Sequence, residues 1–310
     1  MSQVEVSKLH SLTGHRDAVY TLSQGPKPNL LFSGAGDGMV VLWNLENPEE
    51  GELIARLPNS IYSLLYVSHQ NLLIAGQNYE GIHVLDPQEK KEVASLHLGA
   101  AAIFDLQIFE KWLLVASGDG KVRVVNTDTL AVEHVLGAYE KSARTIAVNR
   151  TRGEMAVGYS DNYIRIFSLA DFKLHHEWQA HTNSVFTLSY TPDEQFLISG
   201  SRDARLKVWD TAAQYRQAHE VVAHLFAINN LVFSPDQKHF VTCSMDKSIK
   251  VWDAAEMKLL KVIDKARHAG HGTSVNKLLW TPFFNQLVSA SDDRTISVWK
   301  LFFKLHTNKS

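Results

Sequence analysis

The chain has a single cysteine, Cys243, in 310 residues. One thiol cannot form an internal disulfide, and its scarcity fits a reducing, cytoplasmic compartment. Charge of one sign is also missing: 31 Lys and Arg against 33 Asp and Glu leave a formal net charge of −2. That balance gives no general attraction to nucleic acid or to an anionic membrane, so neither is expected as a direct partner. No apolar run approaches the length of a membrane span. Met1 to Leu12 is polar and charged throughout, without the apolar core of a signal peptide. A phosphate-binding Walker loop, a dinucleotide fingerprint and a Cys-rich zinc spacing are all absent, so no cofactor or metal is expected. Helical periodicity is absent as well. What is there, 45% apolar and 21% charged residues, is the composition of a globular protein with enough chain for a large core.

A spacing recurs along the chain. His15 and Trp43 are 28 positions apart, and so are His181 and Trp209, His224 and Trp252, and His271 and Trp299. Ten positions before each Trp stands a hydroxyl residue and six before it an Asp: Ser33 and Asp37, Ser199 and Asp203, Thr242 and Asp246, Ser289 and Asp293. A branched or small apolar residue 24 positions before the Trp slot extends the count to seven units: Val19, Ile61, Ile103, Ala143, Val185, Ile228 and Val275, with only Ile103 departing, at 22 positions. The slot itself is held by Trp43, Leu85, Val125, Phe167, Trp209, Trp252 and Trp299. Their separations of 40 to 47 residues are those of a propeller repeat.

Each unit reads as short strands. In the fifth, Thr191-Pro192-Asp193-Glu194 is a turn, Gln195–Gly200 a strand, Ser201–Ala204 a second turn, and Arg205–Asp210 alternates with period two. Four antiparallel strands per unit and seven units predict an all-β, seven-bladed propeller filling residues 1–310 as one domain. The last unit ends after its third strand, and residues 6–12 form a strand with no unit of their own. The N-terminal strand is therefore expected to complete the seventh blade and close the ring.

Gly14-His15, Gly270-His271, Ala180-His181 and Ala223-His224, with the closings Trp209-Asp210 and Trp252-Asp253, resemble the WD-repeat (Trp-Asp repeat) β-propeller family over residues 6–301. The resemblance implies a scaffold that presents a rigid ring to peptides or other domains, as a monomeric ring or one subunit of a larger complex, without catalysis. It also implies that Asp, His, Ser or Thr, and Trp form a hydrogen-bonded chain in each complete unit. Residue chemistry agrees: indole N–H only donates, carboxylate only accepts, and a hydroxyl and neutral imidazole can link them. Four copies of the set argue against a catalytic triad, which needs one nucleophile in one pocket. Units two to four lack the His (Leu57, Gly99, Tyr139), the hydroxyl (Ala75, Val115, Val157) and the Trp, while Asp119 and Asp161 persist and Tyr79 replaces the third Asp. The surviving Asp side chains are expected to bond backbone amides in their own turns.

Function is sought at the channel mouth. The residue after each opening apolar position is expected to face the channel: Tyr20, Tyr62, Phe104, Arg144, Phe186, Asn229 and Asn276. Aromatics and Arg are the usual anchors of interfaces. Asp105, one residue on, is expected to point away. A second ring, one residue before the turn Asp, holds Gly36, Asn78, Gly118, Ser160, Arg202, Met245 and Asp292, with Gly36 and Gly118 expected to leave the neighbouring rings open. Tyr20, Tyr62, Phe104, Arg144, Phe186, Arg202 and Met245 are thus the expected contacts of a protein or peptide. Recognition of a modified or cationic side chain, ubiquitin or a small ligand is the alternative, and a propeller hydrolase or lyase a further one. The extra residues around Asp264–His268 read as a basic surface loop, and Cys243 as a small core residue.

Overall fold

Short alternating runs broken by turn residues bury their apolar faces only by pairing into sheets that pack face to face. The computed structural model describes residues 3–137 and 139–304, and in it each of the seven units is one four-stranded antiparallel sheet. The first blade runs Val19–Gln24, Leu30–Ala35, Met39–Asn44 and Asn47–Arg56 from the axis outward. Innermost strands of successive blades lie beside one another, and that of blade seven returns to that of blade one, which closes the ring. Blade three departs from the common spacing because its first hairpin, between Ile103–Phe109 and Trp112–Ser117, turns through only Glu110 and Lys111.

The seventh blade takes Val275–Thr281, Gln286–Ser291 and Ile296–Lys304 from the end of the chain and its outermost strand, Gln3–Leu12, from the beginning. Lys8 pairs with Trp299 and Leu12 with Ile296. The closing strand is longer than the expected 6–12, because Val4 is buried and Val6 packs with Leu301 and Phe303 of the equally extended last strand. Of the expected domain 1–310, residues 1–2, 138 and 305–310 lie outside the described residues.

An apolar layer fills each gap between blades. That between blades one and two joins Phe32 and Val40 to Ile61, Leu64, Leu73 and Leu85. Burying one such side chain contributes roughly 1.5–3 kcal/mol. All seven residues of the Trp slot are buried. One position in each second strand must be small, because the next blade's innermost strand crosses it. A Cβ on Gly34 would lie 2.7 Å from Ile61 Cγ2, and one on Gly158 2.7 Å from Val185 Cγ1. Gly76 and Gly200 hold this position in blades two and five, and Ala116, Cys243 and Ala290, all fully buried, in blades three, six and seven. Cys243 packs there with Val275, and burial pushes its thiol well above the usual range, which leaves it inert.

Candidate functional site

Every innermost strand is irregular at one place. Pairing with the second strand skips Tyr20, Tyr62, Phe104, Arg144, Phe186, Asn229 and Asn276, one residue per blade. A β-bulge leaves an extra residue unpaired and disturbs the alternation of side chains. All seven skipped residues line one cavity of about 240 Å³ at the channel mouth.

The bulge also corrects the expectation for Asp105. Strict alternation would turn it away, but Asp105, Thr145, Asn230 and Lys277, each following a skipped residue, line the same cavity. They form a waist, below which the channel widens to a polar space of about 450 Å³. Asp105 accepts hydrogen bonds from the backbone N–H of Ile146 in the next blade (2.8 Å) and of Leu106 (2.9 Å). Burial pushes its carboxyl upward, while nearby Lys277 and the backbone donors oppose that shift. Asn230 straps blade six to blade seven in the same way, accepting from the Leu278 N–H at 3.0 Å.

Half of the mouth is aromatic. Tyr20 and Tyr62 have ring centroids 5.0 Å apart, and Tyr62 and Phe104 5.8 Å apart. The Arg144 guanidinium lies 3.8 Å from the Phe104 centroid and 4.7 Å from that of Phe186, stacked between them. Burial pushes the Arg144 guanidinium down to about 10. Of the second ring, Gly118 lies beside Phe104, where an added Cβ would meet Cε2 at 3.4 Å. Gly36 does not open space for a ring: an added Cβ would lie 2.7 Å from Asp17 Oδ2, so the glycine makes room for that carboxylate. Arg202 and Met245 are exposed and do not line the cavity.

Beside Met245 stand Leu225, 81% exposed, and Phe226, 59% exposed. Their loop is tied to that of Met245, whose N–H donates to the Ala227 carbonyl. Sequence reasoning passed over this pair, although a signal was present. The tetrad His is followed by Arg16-Asp17, Thr182-Asn183 and Gly272-Thr273 in other blades, and only His224 is followed by two large apolar residues. The insertion before blade seven forms a single helical turn, Lys265–His268, capped by Asp264, which also pairs with Arg267. That pairing offsets part of its basic character.

The tetrads form continuous chains. In blade five, Trp209 Nε1 donates to Ser199 Oγ (2.8 Å), the hydroxyl lies 2.8 Å from His181 Nε2, and His181 Nδ1 is 3.0 Å from Asp203. His15, Ser33, Asp37 and Trp43 repeat the pattern, as do His224, Thr242, Asp246 and Trp252, and His271, Ser289, Asp293 and Trp299. Only a neutral imidazole protonated on Nδ1 satisfies every group. Burial holds His15 and His224 below the usual imidazole range, against the pull of their Asp partners. Burial pushes the Asp203, Asp246 and Asp293 carboxyls upward, but the His partners, joined by hydroxyl and backbone donors, together outweigh it and hold them well below the usual range.

Blades three and four use another device. Asp119 accepts from Lys121 N–H in its turn, and Asp161 from Tyr163 N–H, but each also pairs with an Arg four residues on. Arg123 makes a two-pronged contact with Asp119 (3.2 and 2.6 Å) and donates to Ser117. Burial raises the Asp119 carboxyl, yet Arg123 and Ser117 bring it down to about 2. Arg165 lies 2.8 Å from Asp161 and stacks 3.6 Å from the Tyr139 centroid. The expected backbone partners are present, and in addition a guanidinium in the third strand stands in for the missing imidazole. Among the described residues no group of three or more His, Cys, Asp or Glu could hold a metal, and no helix is long and apolar enough to cross a membrane.

Comparison with known proteins separates the two kinds of blade. The family model described as "WD domain, G-beta repeat" matches residues 6–44, 172–210, 216–253 and 262–300, together half of the chain. These are the units with complete tetrads, and the unmatched stretch contains Tyr62, Phe104 and Arg144. Striatin-3 of Mus musculus is 23% identical over 249 residues, 67% of this chain and 29% of that protein. Striatin-3 of Homo sapiens is 28% identical over 207 residues, 64% of this chain and 22% of that protein. WD repeat-containing protein srw1 of Schizosaccharomyces pombe is 22% identical over 209 residues, 65% of this chain and 37% of that protein. The chain therefore spans well under half the length of these relatives.

Proposed function

The chain belongs to the WD domain, G-beta repeat family, and from that premise we propose that its ring is a non-catalytic platform that binds a peptide or protein domain at the channel mouth of its top face. The observation that carries this reading is the convergence of seven bulge residues on one cavity, four of them aromatic and one an arginine. Rigid aromatic and Arg side chains concentrate binding energy at interfaces. Here they are held by strands, so little freedom is lost on binding. Met245, Leu225 and Phe226 extend the same face with apolar surface, and Arg202 adds a charge at its rim. We take residues 1–310 to form one domain acting in the cytoplasm, alone or within a larger complex, and the lone buried thiol supports a reducing compartment.

Capture from native cell extract by the immobilised ring tests the site. The Tyr62→Ala/Phe104→Ala double variant should lose the captured partner while its melting temperature stays within a few degrees of wild type. A partner retained at full yield by the folded double variant would move the binding surface elsewhere.

A further inference from the structure

We propose that the mouth takes an anionic side chain of its peptide partner, a carboxylate or a phosphate, against Arg144; this rests on the top-face reading above. The cavity of about 240 Å³ is smaller than the roughly 300–1,000 Å³ of sites for small molecules, and suits one side chain. Its donors can be surveyed. The Asn229 amide donates to Ser274 Oγ and the Val275 carbonyl, and the Asn276 amide to the Val19 carbonyl and Asp292. Lys277 faces Asp105 at the waist. Arg144 has no hydrogen-bond or ion-pair partner among the described residues and, unlike Lys277, no carboxylate acting on it.

The stacking geometry selects the guest. Phe104 and Phe186 cover the faces of the guanidinium, whereas its N–H donors project from the edges in a fork that fits a carboxylate or phosphate. The same two rings are where a guest cation would stack, and the chain's own arginine already stands between them. Asp105 of blade three lies deeper, at the waist with Lys277, and the acidic residues of the rim, Asp17 and Asp292, lie across the ring in blades one and seven. There Asp17 accepts from the Ala18 N–H, and Asp292 from Asn276. Above the waist the mouth is thus positive at blade four and negative opposite, while Asp105 and Lys277 oppose each other below. Burial without a counter-ion destabilises the charged guanidinium, in keeping with its lowered pKa of about 10. A bound anion would relieve that cost.

A synthetic peptide library tests this, with one position occupied by Asp, Asn, Glu, Gln, phosphoserine or phosphothreonine among random flanks, panned on the immobilised full chain. Wild type should favour the acidic or phosphorylated residue over its neutral counterpart by about tenfold or more. Arg144→Met, checked for an intact melting transition, should lose that preference, and Arg144→Lys should retain part of it. Enrichment of Asp and Glu without the phosphorylated residues, or the reverse, identifies which oxyanion is used. Peptides that need Tyr62 and Phe104 but accept Asn as readily as Asp would overturn the anion assignment and leave the top-face reading standing. Binders indifferent to Tyr62→Ala/Phe104→Ala, or no enrichment at all, would overturn both.

Discussion

His181 bridges two groups: the Ser199 hydroxyl, which spends its proton on Nε2, and the Asp203 carboxylate, which takes the proton of Nδ1 and also accepts from Thr182 and from the Arg205 N–H. Both lie in a nearly dry gap. His181→Ala should therefore lower stability by roughly 1–3 kcal/mol, the cost of stranding buried polar groups, and lower the melting temperature by several degrees. An unchanged melting temperature would mean that the chain of bonds contributes nothing net. The same chemistry fixes the response to acid. His15 and His224 titrate below their unfolded value of about 6.5. The unfolded chain thus binds more protons in that window, and stability falls as pH drops below about 6.5. Asp203, Asp246 and Asp293 are depressed in the fold, so their contribution, complete above about pH 4, is lost on further acidification. Melting temperature against pH should be level near neutrality, decline below about 6.5 and fall more steeply below about 4. A flat profile from pH 7 to 5 would contradict neutral tetrad imidazoles.

At the scale of the strand, two devices hold the turn between the second and third strands, an imidazole in four blades and a guanidinium in two. Removing one half of the second device should be worse than removing both. Arg123→Met leaves Asp119, held near pKa 2 by that arginine, with an unmatched charge at a cost of roughly 1–3 kcal/mol. Arg123→Met/Asp119→Asn should recover part of the loss, because apolar replacement of an ion pair can be close to neutral. Equal losses in chemical denaturation would show that packing of the Arg stem matters more than its charge. The arginines escaped sequence reasoning because they lie after the Asp, in a third strand read only for alternation. The bulges escaped it for a related reason. Period two predicts which residues of a regular strand share a face, and Tyr20 and its six counterparts were placed at the mouth from that rule and from family resemblance. It has no way to signal the break that also brings Asp105 and Lys277 into the channel. By contrast, blade number, strand order and ring closure were legible because each depends on spacing repeated seven times. The small-residue position of the second strand was visible as Gly34, Gly76, Gly158 and Gly200, but its meaning depends on the neighbouring blade's approach, which lies outside any single unit.

At the scale of the ring, the two ends of the chain share one sheet. Leu12 sits in the layer between blades seven and one with Val19, Leu31, Val288 and Ile296, and Val4 and Val6 extend the cover along the last strand. A ring differs from an open repeat array in that every blade has two neighbours, so loosening one joint weakens the cooperativity of all seven. Blades two to four, which lack the tetrads yet carry Tyr62, Phe104 and Arg144, lie far from that joint and depend on closure to hold their side chains against those of Phe186 and Tyr20. Deleting residues 1–12 should therefore do more than remove one strand. It strips the pairing from Ile296–Lys304, exposes an open edge, and should lower the melting temperature by well over 10 °C with a broadened transition, because several buried apolar side chains at roughly 1.5–3 kcal/mol each are lost. The open edge should also promote self-association, visible as a concentration-dependent mass in light scattering. A synthetic peptide of residues 3–12 added in trans should restore both the transition and the monodisperse ring, since the missing element is a strand with defined register and not a covalent tether. If the truncated chain melts as sharply and as high as wild type, inter-blade packing alone holds the ring, and the closing strand is a cover for the last blade and nothing more.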